Sequence, residues 1–298
     1  MSNSSTTLKR WPFWQRCLYS LAAAVVPRIF RLLFEFEVIN SEYVAEFEEG
    51  NPVIFCSNHR SHLDTFAVVS ALAKPFGPKR YLALMGAGNV LQEKLFYRLF
   101  HLFGVFPVFP ERSQEAINYA AKTLEEKLSV FLAPQGKRIV KTPFHDYFDI
   151  IKEGRTGVGR VVLMTNGKVP VVPIYIHGTA EALRKGQVMP RFKSYISITF
   201  GKPLYFHEYA KQNGWTGQQQ EYFAKAREIV DQIMLAIHDQ LLKVEKYYFK
   251  YLEWKFKRSI EQISFSEKEE RKYKRLLREL ARVHPRQLQE FLKSRESR

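Results

Sequence analysis

Behind the apolar run Pro52-Val53-Ile54-Phe55-Cys56 the chain reads Ser57-Asn58-His59-Arg60-Ser61-His62-Leu63-Asp64. His59 and Asp64 together can do acid–base chemistry. An imidazole takes a proton from a hydroxyl near neutral pH, and a carboxylate on its other ring nitrogen fixes the tautomer and stabilises the imidazolium. Aspartate is scarce, five of 298 residues, and the pair falls where a strand-like run gives way to a helical one, the rim at which α/β sheets bind ligands. A purely structural reading stands beside this one. Ser61 and Asp64 form an S-x-x-D start in which the carboxylate complements a helix N-terminus. His59 and His62, three apart, are two ligands of a metal set, but no third follows nearby, so no metal is expected. Ser61 lies in no G-x-S-x-G elbow, and Cys56 reads as core.

Short apolar runs alternate with longer helix-period stretches along the chain, the pattern of an α/β domain. Residues 52–57, 80–85, 104–110, 129–134, 169–176 and 195–200 read as strands. Residues 62–74, 89–103, 113–128 and 157–167 read as helices, the third opened by Ser113 as N-cap. Proline within the strand runs predicts that some are edge strands or end at the proline. Beyond about residue 217 only helical periodicity remains. Phe223, Ala226, Val230, Ile233, Ile237, Leu241, Val244 and Tyr248 keep 3-to-4 spacing. Ser266 and Glu269 then form a capping box before a basic helix that Pro285 ends. Three regions are expected: residues 1–40, N-terminal amphipathic helices; 41–216, the α/β domain; and 217–298, a basic helical extension.

The composition, 46% hydrophobic with 14% aromatic residues, supports a sizeable core and excludes a disordered chain. The net charge of +16 favours an anionic partner. It is concentrated at the ends: residues 241–298 hold 17 Lys and Arg against 9 Glu, and residues 1–40 hold five against two. No RNA-binding aromatic motif or zinc-finger spacing is present, so a nucleic-acid partner is not expected. Two cysteines, Cys17 and Cys56, point to a reducing compartment without disulfides. The apolar or small run Cys17–Pro27 is 11 residues, short of the roughly 20 that span a bilayer. Trp11, Phe13, Trp14 and Phe30 alternate with Arg10, Arg16, Arg28 and Arg31, which suits helices lying in a membrane surface. The alternative is a pair of helices packed on the core. The basic tail is either a solvated helical face or a second contact to anionic lipid.

The segment Asn58-His59-Arg60-Ser61-His62-Leu63-Asp64 resembles the N-H-x-S-x-x-D motif of the glycerolipid acyltransferases of the 1-acylglycerol-3-phosphate acyltransferase type. Three further blocks follow in that family's order, Gly104–Phe109, Phe131–Arg138 and Val169–Ile174 with Gly178-Thr179, so that the resemblance covers roughly residues 50–205. It implies a central mixed sheet flanked by helices, with His59 as catalytic base and Asp64 as its partner. It implies a substrate-binding set of Asn58, Ser61, Arg112, Pro134, Gln135, Gly136, Lys137 and Arg138, the arginines serving as forks for an acceptor phosphate. It implies no cofactor and no metal, only acyl-CoA or acyl carrier protein as co-substrate, a lysophospholipid acceptor, and a monotopic place on the cytoplasmic face of a membrane. Two positions depart from the family pattern. Pro110 stands where arginine is common, with Arg112 two residues on, and Gln135 replaces the usual glutamate. Glutamine keeps an acceptor oxygen and adds donors but removes the charge. The Gly-rich basic stretch Lys152–Arg160 matches no P-loop and reads either as a phosphate cradle or as a loop entering a helix.

Overall fold

The structure, a computed structural model, describes residues 13–48, 50–75, 82–87, 105–108, 112–138, 154–183, 186–187, 189–210 and 219–261. The expected helix at 89–103, the basic helix after Ser266, and Arg10, Trp11, Gly104, Phe109 and Pro110 lie outside them. Seven strands form one sheet: β1 (Glu35–Ile39), β2 (Ile54–Ser57), β3 (Leu82–Ala87), β4 (Val105–Val108), β5 (Ser129–Leu132), β6 (Val171–His177) and β7 (Tyr195–Phe200). Their order across the sheet is β1-β7-β6-β2-β5-β3-β4. β6, β2, β5, β3 and β4 are mutually parallel, whereas β7 pairs antiparallel with β6 and carries β1 parallel to itself. The sheet is mixed, as expected.

The uniformly buried runs Ile54–Ser57 and Ser129–Leu132 are central strands covered on both faces. Proline behaves as the strand reading predicts at Pro107 and Pro134. Pro107 is on the edge strand β4, and β5 ends before Pro134. Pro173, however, sits in the interior strand β6. It is tolerated because it faces the last rung beside β7: its carbonyl accepts the Gly201 N–H at 2.7 Å, just past the end of that strand. The missing N–H therefore breaks no continuing ladder.

Helices α1 (Phe13–Leu33), α2 (Glu42–Ala45), α3 (Leu63–Leu72), α4 (Ser113–Glu125), α5 (Gly157–Met164), α6 (Thr179–Ala182) and α7 (Gln219–Glu261) complete the described elements. Two expectations need correction. Residues 35–39, placed among N-terminal helices, form β1, because Glu35 to Ile39 pair with Tyr195 to Thr199 on the far edge of the sheet. Ser113 is the first helical residue rather than the N-cap, a position that Arg112 takes with non-helical dihedrals. The chain divides into two compact units, Met1–Val140 with Ile151–Leu241, and Lys141–Ile150 with Leu242–Arg298. The first part of α7 supplies Ala226, Ile229, Val230, Ile233, Met234 and Ile237 to the core.

One face of α1 belongs to that core. Phe30, expected at a membrane surface, is 4% exposed and stacks with Phe34 and Phe36 at ring separations of 4.8 and 5.1 Å. The buried Tyr19 hydroxyl accepts the Leu82 N–H at 3.0 Å. The helix continues through Pro27, and Arg28 Nη1 donates to Ala24 O beside the proline. The opposite face keeps Leu21, Val25, Ile29 and Leu32 exposed at 59%, 40%, 49% and 80%. These positions are spaced four, four and three apart and form one apolar stripe, flanked by exposed Arg28 and Arg31. Among the described residues no helix is long and apolar enough to cross a membrane.

Candidate active site

Three neighbouring parallel strands, β5, β2 and β6, end at the same edge of the sheet. The segments leaving them are Asn58–His62, Ala133–Arg138 and Gly178–Leu183. Parallel strands expose their carboxyl ends together, so residues distant in sequence meet there. The order of the strands, rather than any single motif, assembles this site.

Asp64 is its centre. The carboxyl group is 1% exposed and lies in the first turn of α3. Its Oδ2 is 2.7 Å from His59 Nδ1 and accepts the N–H groups of Arg60 and Ser61 at 2.7 and 2.9 Å. Its Oδ1 accepts the Thr179 hydroxyl. Four donors thus satisfy the oxygens of a carboxyl group that is buried away from water. The two sequence readings are both realised: Asp64 closes the turn into α3 and also orients His59. With the carboxylate on Nδ1, that nitrogen carries the proton and Nε2 is left with its lone pair. The His59 side chain is 28% exposed, so the ring can meet a substrate.

The surrounding side chains hold this pair in place. Asn58 caps the end of β2 by donating Nδ2 to Ile176 O at 2.9 Å and accepting Ile176 N at 2.8 Å, a side-chain copy of a strand rung. Ser61 donates to Leu183 O at 3.1 Å and accepts from Leu63 N at 3.3 Å. Gln135 Oε1 accepts the His59 N–H at 3.0 Å, tying the β5 turn to the base. Arg60 pairs with Glu181 at 3.3 Å. Gly178, at φ +84°, turns β6 into α6; a Cβ there would stand 2.0 Å from Tyr195 O, so only glycine lets Thr179 reach Asp64.

The expectation that Asn58 and Ser61 bind substrate therefore gives way to a bracing role, since both are at most 2% exposed and engaged with backbone. Gln135, at 1% exposure, and buried Pro134 likewise shape the site from below. Gly136 and Lys137 are exposed and Arg138 is half-buried. Arg138 acts on the site through its field: together with partial burial and the neighbouring His59 it disfavours the protonated form of His62. Arg112 stands apart from this group. It is exposed at the start of α4, which follows the edge strand β4, and no hydrogen bond or ion pair among the described residues ties it to His59, Asp64 or Gln135. Sequence reasoning passed over Thr179, Arg60 and Glu181 as site residues. The signal for Thr179 was present in the Gly178-Thr179 pair; Arg60 and Glu181 carried none.

Burial drives the Cys56 thiol far above its ordinary pKa, leaving it an inert core residue, while Cys17 is exposed. Among the described residues no group of three His, Cys, Asp or Glu is placed to hold a metal ion.

Residues 35–177 match the family model described as Acyltransferase, a span that starts with β1 and ends with β6. No curated protein matches the chain. Among solved structures, the 1-acyl-sn-glycerophosphate (LPA) acyltransferase PlsC from Thermotoga maritima is similar at 16% identity and a TM-score of 0.47, over 74% of this chain and 79% of that one.

Proposed function

We propose, from the match of residues 35–177 to the Acyltransferase family model, that the chain moves a fatty acyl group from a thioester, acyl-CoA or acyl carrier protein, to the free hydroxyl of 1-acylglycerol-3-phosphate, with His59 as general base. The observation that carries the proposal is the 2.7 Å contact between His59 Nδ1 and a fully buried, four-fold hydrogen-bonded Asp64. His59 Nε2 removes the hydroxyl proton as the oxygen attacks the thioester carbonyl. The tetrahedral intermediate then collapses, expelling the thiolate, which recovers the proton from the imidazolium. Asp64 stays ionised throughout and stabilises that cation. General-base assistance of this kind is worth about 10² to 10⁴ in rate.

A lipid acceptor must be taken from a membrane. The exposed stripe of Leu21, Val25, Ile29 and Leu32 beside Arg28 and Arg31 supports a monotopic seat for α1, apolar side chains among acyl tails and cations on headgroup phosphates. Gln135 supports a second reading of the same chemistry, with another lysolipid, glycerol 3-phosphate or a glycolipid as acceptor. Its neutral amide takes the place of a carboxylate beside the base.

The test is thiol release from palmitoyl-CoA by detergent-purified wild type and His59→Ala, with and without 1-acylglycerol-3-phosphate. Release that depends on the acceptor and vanishes in the variant is expected. Acceptor-dependent release that survives in the variant would refute the role of His59, and release by neither protein would refute the acceptor.

A further inference from the structure

The basic, glycine-rich stretch Lys152–Arg160 is not used by the chemistry above, and its two arginines have different fates. Arg160 is consumed by packing: it lies over the Phe223 ring at 5.0 Å and donates to Gln114. Arg155 is held but not consumed. Its backbone N–H donates to Pro134 O at 2.8 Å, and the preceding Gly154 carbonyl accepts from Arg227. These bonds clamp the segment from both sides and bring Arg155 onto the turn that follows β5. Its side chain runs across Gly136: a Cβ at that position would stand 3.0 Å from Arg155 Cδ and 3.4 Å from Nε. With φ +64°, Gly136 both makes the turn and leaves the room.

The Arg155 side chain is exposed and makes no ion pair or hydrogen bond with any described residue. Arg138, two residues beyond Gly136 on the same turn, also has no acidic partner among the described residues, and its field reaches His62. The residue before Gly136 is Gln135, whose side chain accepts the His59 N–H. A guanidinium without an acidic partner among the described residues is thus laid against a turn that is hydrogen-bonded to the base. Arginines brought to one turn from two segments suit a phosphate monoester, which carries close to two charges and three acceptor oxygens.

We propose that Arg155, acting with Arg138, binds the phosphate of the lipid acceptor and so selects a phosphorylated acceptor over a neutral one. The inference rests on the reaction assigned above. In 1-acylglycerol-3-phosphate the phosphate is borne by the carbon next to the reacting hydroxyl, so its site must adjoin the base. The phosphates of CoA lie a whole pantetheine arm away from the thioester.

The experiment uses the full-length chain in detergent, as wild type, Arg155→Ala and Arg155→Lys, each titrated with 1-acylglycerol-3-phosphate and with neutral 1-monoacylglycerol. Wild type is expected to prefer the phosphorylated lipid. Arg155→Ala should lose roughly 10- to 100-fold affinity for it, the worth of one charge-assisted hydrogen bond, with no change toward the neutral lipid. Arg155→Lys should keep part of the preference, since it retains the charge without the fork. A wild type without preference, or an alanine variant weakened equally on both lipids or on neither, overturns the proposal. Palmitoyl-CoA turnover by the same proteins separates the remaining cases. A rise in KM for the acceptor alone supports it, and a rise for the donor instead gives the guanidinium to CoA and overturns it. Loss of phosphate preference in Arg155→Ala without any transfer by wild type upholds the anion site and refutes the assigned reaction.

Discussion

Asp64→Asn separates the two tasks of the buried carboxylate. Asn offers one acceptor oxygen, and if it takes the place of Oδ2 it still receives His59 Nδ1–H and the Arg60 and Ser61 N–H groups. Its amide then faces the Thr179 hydroxyl, which can rotate to accept instead of donate. The fold therefore survives. Three charge-assisted bonds become neutral and lose about half their strength, a cost of about 2 to 3 kcal/mol. Catalysis loses more. The imidazolium forms next to a neutral amide rather than a carboxylate, and a charge pair about 4 Å apart is worth about 4 kcal/mol at an effective dielectric of 20. That energy corresponds to about 10³ in rate. Urea titration followed by acyl-transfer assay at saturating substrates measures both effects on one preparation. A folded Asp64→Asn enzyme with more than about a tenth of wild-type kcat would mean that Asp64 only closes the turn into α3, and the dyad reasoning would be wrong. Asp64→Ala, which strands three or more buried donors at about 1 to 3 kcal/mol each, should not fold well enough to assay.

Thr179→Val should cost about 1.5 to 3 kcal/mol in urea stability, because it leaves Asp64 Oδ1 buried without a donor. It should also lower kcat with little change in KM; Thr179→Ser should restore both, and equal kcat in the valine variant would remove Thr179 from the positioning network. Burial, opposed in part by Glu181 and reinforced by Arg60, lowers the His177 pKa. Above about pH 6.5 neither state holds the proton; below it the unfolded chain takes one up that the fold refuses, so stability falls with pH by up to about 1.4 kcal/mol per unit. His177→Phe, which keeps a ring beside Tyr175 and Tyr195, should flatten that loss between about pH 7 and about pH 5.5. Identical slopes in urea midpoint for the two proteins would show that His177 titrates as it does in the unfolded chain.

The strands and helices that matter most to the site were legible because their periodicity is local. Ile54–Ser57 and Ser129–Leu132 read as apolar runs with turn residues behind them, and the structure ends the first before Asn58 and the second before Ala133-Pro134. Tyr195–Phe200 coincides with its predicted span. The strand Glu35–Ile39 was hidden, since its charged and apolar residues follow a helical apolar stretch and only pairing with β7 makes it a strand. Phe30 misled for a related reason: aromatic residues among arginines look alike on a lipid surface and on a core until the partner face is known. Here that face holds Phe34 and Phe36.

The same division holds for the chemistry. His59 and Asp64, five apart across a strand-to-helix junction, meet because one turn suffices to bring them together, and one turn is within the reach of sequence. Thr179 donates to Asp64 from 115 residues away and Asn58 bonds Ile176 from 118 away. Arg155 reaches Gly136 from the loop entering α5. None of these contacts has a local signal, because each depends on β6 and β5 flanking β2 in parallel, and strand order is chosen by packing over the whole sheet. Residue types and spacing thus determined which groups could transfer a proton, and only the assembled sheet decided which others hold, neutralise or extend them.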